Sequence, residues 1–144
     1  MAPETDLIKE VLQRASTIAI VGVSDKPERP SHDVARFLIE KTDYRIYMVN
    51  PALTLLFGMP VYPTLSAAID VNGPIEIVNV FRRVEEMGPI LDEAISKKAK
   101  VFWMQLGLRD NGLASRAESA GLKVIQDRCI KIEITSLRGS SQQS

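Results

Sequence analysis

Cysteine, histidine and tryptophan each occur once in this chain of 144 residues. The single cysteine, Cys129, excludes an intramolecular disulfide and points to a reducing compartment, so a cytoplasmic location is expected. The single histidine, His32, leaves no Cys/His cluster with metal-ligand spacing, and no metal site is expected. Net charge is also absent: 18 basic residues balance 18 acidic ones, unlike the basic footprint of a nucleic-acid binder. No apolar run approaches the roughly 18 residues of a membrane span. The opening MAPETDLIKE carries Glu4 and Asp6 and lacks the apolar stretch of a signal peptide. What remains is 45% apolar and 25% charged, the composition of one globular domain able to bury a core without staples.

Strand-like and helix-like segments alternate. Residues 5–15 have helical spacing at Leu7, Ile8, Val11 and Leu12. TIAIVGV, residues 17–23, is a short apolar β-branched run suited to a strand covered on both faces. Ser31 is the expected cap of the next helix, with Asp33 in its first turn. Strands are predicted over 44–49, 75–81, 101–106 and 122–126, and helices over 64–69, 84–98 and 112–120. Residues 52–63 read as a turn at Gly58 followed by a short extended piece near Val61. Residues 129–134 read as extended or helical, and the polar stretch 136–144 as a disordered tail. The expectation is therefore an α/β domain over residues 1–135: a Rossmann-like, doubly wound, mainly parallel sheet of five strands with helices on both faces. In such sheets a ligand lies beyond the carboxyl ends of the strands, at the switch point.

The loop after the first strand is GVSDKPERPS, ten residues where two to six are usual, which favours a functional role. A phosphate there needs close backbone approach and a helix N-terminus aimed at it. Gly22 supplies the close approach, Ser24 and Ser31 hydroxyls, and Lys26 and Arg29 charge, while Pro27 and Pro30 stiffen the loop. The loop is not the dinucleotide fingerprint, since it has one glycine where G-x-G-x-x-G has three. The second strand ends in Asn50-Pro51 and not in the acid that grips a nicotinamide cofactor's ribose. A neutral residue there suits a phosphorylated ribose, as in coenzyme A or NADP.

Other strand ends add candidates. Phe81, Arg82 and Arg83 end the third main strand, where the arginines can reach a pyrophosphate or pair with Glu85 or Glu86. Gln105 can bond ligand amides and Gly107 permits close approach. Cys129 reads either as an activated thiol beside Arg128 or as a small buried hydrophobe. His32, with no evident orienting partner, reads as a polar loop residue. The leading helix and residues 53–59 offer apolar surface for a homodimer or a partner enzyme.

VGVSDKPERPSHDVARFL, YMVNP, VYPTL, VNVFRR, FWMQLG and DRCIKIE follow in this order over about residues 16–133. Together they resemble the stand-alone coenzyme A-binding domain proteins, which are similar to the N-terminal domain of the succinyl-CoA synthetase alpha subunit. The resemblance implies a Rossmann-like fold that binds coenzyme A. It places the phosphate loop on Gly22, Val23, Ser24, Arg29 and Ser31, a turn on Asn50-Pro51, and further motif positions on Phe81, Arg82, Arg83, Cys129 and Lys131. The synthetases carry further domains, one with a phosphorylated histidine. The chain ends soon after its fifth predicted strand, so acyl-CoA synthesis by it alone is not expected. The reading is a non-catalytic module for coenzyme A or an acyl-CoA. Its alternatives are an NADP-dependent oxidoreductase and a thiol redox protein acting through Cys129.

Overall fold

The computed structural model describes residues 4–142. Seven strands form the sheet: β1 (Thr17–Val21), β2 (Arg45–Val49), β3 (Leu55–Leu56), β4 (Met59–Tyr62), β5 (Ile77–Val80), β6 (Val101–Met104) and β7 (Lys123–Ile125). Their order is β3-β4-β2-β1-β5-β6-β7. All neighbours pair parallel except β3 with β4. Five strands were expected, and the two extra ones come from residues 52–63. There Phe57 (φ 54) and Gly58 (φ 72) turn the chain through the left-handed region, closing a two-residue hairpin. The hairpin is too short to show alternation, so composition hides it. Counted in chain order, the six parallel strands run 3-2-1-4-5-6, the order of doubly wound nucleotide-binding sheets.

Among the described residues six α-helices cover the sheet: α1 (Glu4–Arg14), α2 (Pro30–Lys41), α3 (Leu65–Asn72), α4 (Met87–Ser96), α5 (Asn111–Ser119) and α6 (Ile130–Gln142). One face buries Ile8 and Leu12 of α1, Val34 and Leu38 of α2 and Ile130 and Ile134 of α6 against Ile18, Ile20, Met48 and Trp103. The other buries Leu65 and Ala68 of α3, Met87 and Leu91 of α4 and Ala117 of α5 against Ala19, Val21, Val78 and Phe102. Every residue of β1, β5 and β6 is buried, as strands covered on both faces must be. Among the described residues no helix is long and apolar enough to cross a membrane.

Three local expectations are corrected. Ser31 does not cap α2: Arg29 stands at the cap without a side-chain bond, and Pro30 opens the helix, where its missing N–H costs nothing. The helix expected over 84–98 is a 3-10 turn at Val84–Glu86 followed by α4. The stretch expected to be disordered continues α6 through Gln142, while residues 143 and 144 lie outside the described residues. Leu137 packs on the core, and the Arg138 guanidinium donates to the Lys41 carbonyl at 2.6 Å, which polar composition alone does not reveal. Within the apolar stretch 53–59, Leu53, Leu56, Phe57 and Met59 pack on the chain's own core, and of its large apolar side chains Leu55 is the one largely exposed.

At the amino ends of β1 and β5 one carboxylate ties the strands together. Glu76 accepts from the Ser16 N–H (2.7 Å) and the Ser16 hydroxyl (2.8 Å), while its own N–H donates to the Thr17 hydroxyl (2.9 Å). Burial pushes the Glu76 carboxyl up, but the Ser16 bonds and the charge of Lys100 outweigh it and hold the group below its ordinary value. Its contribution is therefore complete above the ordinary carboxylate range and is lost as pH falls through the depressed native value. Glu76→Gln is expected to destabilise the fold by about 1 kcal/mol at neutral pH, discounted for solvent access. Thermal unfolding should show a Tm lower by about 2–4 °C at pH 7 and curves that converge with wild type in acid.

Candidate functional site

The carboxyl ends of β1 and β5 lie side by side, and from β1 the chain leaves toward β2 on one side while β5 leads to β6 on the other. This is the switch point, and two cavities flank it. The larger, about 480 Å³, has a polar wall of Ser24, Lys26, Arg29 and Ser31, and a mainly apolar wall of Phe81, Gln105, Leu106, Leu108 and Cys129. The smaller, about 190 Å³, is bounded by Pro51, Pro63, Thr64, Arg82, Glu86 and Glu93. Gly22 lines both.

Gly22 has φ +92, and a β-carbon built on it would stand 2.8 Å from Arg82 Cδ and 3.1 Å from Cγ. Glycine is thus required twice, by backbone conformation and by the arginine stem lying across it. The Gly22 N–H donates to the Val49 carbonyl at 2.9 Å and the Phe81 N–H to the Val21 carbonyl at 2.9 Å, so the sheet ladder continues into the site.

The loop shapes itself with the hydroxyls that looked available to a ligand. Ser31 is buried in the first turn of α2, and its Oγ accepts from the Ser24 N–H at 3.0 Å. Ser24 Oγ accepts from the Lys26 N–H at 3.0 Å. Asn50 is a tie between strand ends: its amide donates to the Val23 carbonyl at 2.7 Å and its Oδ1 accepts from the Ala52 N–H at 2.8 Å. Val23 itself is fully buried in the core. Lys26, Arg29 and Pro30 stay exposed on the rim.

Arg82 and Arg83 both pair with Glu86, through Arg82 Nε at 3.0 Å and an Arg83 terminal nitrogen at 3.6 Å. Arg82 borders the smaller cavity, whereas Arg83 is 78% exposed and lines neither. Gly107 also lines neither; its φ of +88 lets its N–H donate to Asp127 Oδ1 at 2.7 Å. That bond is one of several locking the loops after β6 and β7. The Asp127 N–H donates to the Leu108 carbonyl at 3.0 Å, and Trp103 Nε1 to the Arg128 carbonyl at 2.8 Å. Gln105, 4% exposed, accepts from the Ile130 N–H at 3.4 Å.

Lys131 lies off the site. It donates to Asp33 at 2.8 Å, holding that carboxyl below its ordinary value, and its ammonium sits 5.5 Å from the Phe37 ring centre. His32 packs against Phe57, ring centres 4.8 Å apart. Sequence reasoning missed Pro63, Thr64, Glu86 and Glu93 beside the smaller cavity and Leu106 and Leu108 beside the larger. Thr64 carried a signal of another kind: it caps α3, accepting from the Ala67 N–H at 3.0 Å, and the capping pattern placed it without revealing the cavity.

Fold and site together define an α/β domain with a two-part cleft at the switch point of a mainly parallel sheet. The particular family follows from comparison. Residues 16–135 match the family described as CoA binding domain, and the chain belongs to it. YneT of Bacillus subtilis (strain 168) is 39% identical over 130 residues, covering 90% of this chain and 93% of that one. A protein of Pyrococcus horikoshii OT3 superposes with a TM-score of 0.85 at 34% identity, over 92% of this chain and 91% of that one. The dinucleotide forming acetyl-coenzyme A synthetase 1 of Ca. Korarchaeum cryptofilum shares the fold, with a TM-score of 0.72 at 22% identity. The match covers 82% of this chain but 27% of the synthetase.

Alanine at position 22 meets both a left-handed backbone and the Arg82 stem, whereas Gly58 (φ +72) has open space around it. Gly58→Ala is expected to cost about 1–2 kcal/mol from backbone alone. Gly22→Ala should cost measurably more in denaturant titration; equal losses would show that Arg82 moves aside freely.

Proposed function

We propose that this chain binds coenzyme A, or an acyl-CoA, as a single-domain module. The observation that carries this reading is the pair of cavities meeting at Gly22, one with a cationic rim and an apolar far wall, the other narrow and bounded by prolines. An elongated cofactor with phosphates near its middle and an amide-bearing apolar arm suits that division. Gly22, Val23 and Ser24 offer backbone approach. Lys26 and Arg29 offer charge at the start of α2, whose dipole favours an anion. Pro51 and Arg82 would face the nucleotide part, and Phe81, Gln105 and Cys129 the arm. When bound, the cofactor supplies a thiol, free or acylated, at the end of that arm.

The chain's own groups favour holding over reacting. Ser24, Ser31 and Asn50 are committed to loop shape, and Arg82 to Glu86, so the polar groups nearest the switch point are already engaged in positioning. Membership of the CoA binding domain family supports the same reading.

Calorimetry with reduced coenzyme A tests it, with NADPH as the comparison ligand. Coenzyme A should bind more tightly, and Arg29→Ala should weaken it by about 1.5–3 kcal/mol, the typical loss for a charge-assisted hydrogen bond. Tighter binding of NADPH, or unchanged affinity in Arg29→Ala, would overturn the assignment.

A further inference from the structure

Resting on the reading above, we propose that Asn79 is a positioning residue of the larger cavity: its carboxamide binds an internal water that bridges to Gln105 and fixes that residue beneath the cofactor's arm. The observation behind this is an orphaned polar side chain. Asn79, in β5, is 0% exposed, and neither its Nδ2 nor its Oδ1 has a hydrogen-bond partner among the described residues. The other buried polar side chains each have one: Thr17 with Glu76, Ser31 with Ser24 and Gln105 with Ile130. A buried carboxamide without a protein partner marks a place for water, because leaving it bare forfeits every bond it makes in solvent.

Strand register puts that group at the foot of the larger cavity. Side chains alternate along β5, and Asn79 shares a face with Ile77 and Phe81, the face covered by α1, α2 and α6. Its neighbours in register are Ile20 of β1 and Trp103 of β6. Ile20 has no polar side-chain atom, and the Trp103 indole N–H is committed to the Arg128 carbonyl. One row nearer the carboxyl ends, on the same face, stand Gly22, Phe81 and Gln105, and all three line the larger cavity. Ser31 lines it too. Three of the buried polar side chains, Ser31, Asn79 and Gln105, thus gather where an otherwise apolar face meets the cavity.

Gln105 is the polar group within reach of Asn79. It stands on the adjacent strand one row up, about 8 Å away between α-carbons by sheet spacing, a span that two carboxamides bridge through one water. The water accepts from Asn79 Nδ2 and donates to the Gln105 oxygen, whose two lone pairs accommodate the water and the Ile130 N–H together. Held from two sides, the oxygen is fixed, and the amide nitrogen is left to face the arm's amide carbonyls. Asn79 touches no ligand and acts through Gln105, and the adjoining cavity gives the water its way in.

The test compares Asn79→Leu, which keeps the branched shape and removes both polar atoms, with Asn79→Ser, which keeps a hydroxyl and leaves room for water. Calorimetry uses reduced coenzyme A and 3′-phospho-ADP, which lacks the arm. Asn79→Leu should weaken coenzyme A binding by about 3- to 10-fold, the net loss of one hydrogen bond, and leave 3′-phospho-ADP unchanged. Asn79→Ser should stay within about 2-fold of wild type for both ligands, since water restores the bridge. In the wild-type protein, NMR should show cross-peaks between the Asn79 side-chain amide protons and a long-lived water, a readout that needs neither variant to fold. Absence of those cross-peaks, unchanged coenzyme A affinity in Asn79→Leu, or equal losses for the two ligands would overturn the proposal. Wild-type binding of both ligands keeps the reading of the cleft intact whichever way Asn79 falls; wild-type protein that binds neither overturns that reading, and the positioning role with it.

Discussion

The aliphatic stem of Arg82 lies where a β-carbon on residue 22 would stand, and the upper surface of the sheet is organised around that crossing. It requires glycine at the end of β1, which in turn takes a left-handed backbone and redirects the chain into the loop before α2. Arg82 is held there by Glu86, from the 3-10 turn that precedes α4. One close approach thereby links both halves of the doubly wound sheet at the place where the cavities meet.

The frame under this crossing is tied at both ends of the strands, by different means. At the amino ends Glu76 gathers Ser16 and Thr17. At the carboxyl ends Asn50 gathers Val23 and Ala52, and Asp127 gathers Gly107 and Leu108. Apart from the Ser16 hydroxyl and the Asp127 N–H that donates to the Leu108 carbonyl, these bonds join a polar side chain to a backbone group that the sheet leaves unpaired, so each satisfies a peptide unit while fixing a loop. Binding surfaces built this way lose little ordering entropy when a ligand arrives.

Alternation of apolar runs and helical periods made the alternating architecture and the switch-point loop legible from residues alone. β1, β5 and β6 are buried on both faces and announce themselves as runs such as TIAIV and VFWM. The turn at Gly58 and the extended piece near Val61 were legible, but their pairing into β3 and β4 was not, because two- and four-residue strands, the second containing Pro60, carry no periodic signal. Residue type correctly marked Ser24, Ser31 and Asn50 as hydrogen-bonding groups but did not reveal that they face the chain's own backbone. Only pairing in space decides that. The helical end of α6 was obscured for a similar reason, since Leu137 and Arg138 gain their anchors from α2 and the core, distant in sequence.

The sheet ends on one side with the two residues of β3 and on the other with the three of β7, where Lys123 is exposed. An edge strand offers unpaired N–H and C=O groups to any extended chain that meets it, and short or charged edges blunt that offer. Neither margin presents enough aligned backbone to template another strand. Self-association by sheet extension is thereby disfavoured even at high concentration, and assembly with another chain would have to proceed through side chains on the helices and the hairpin.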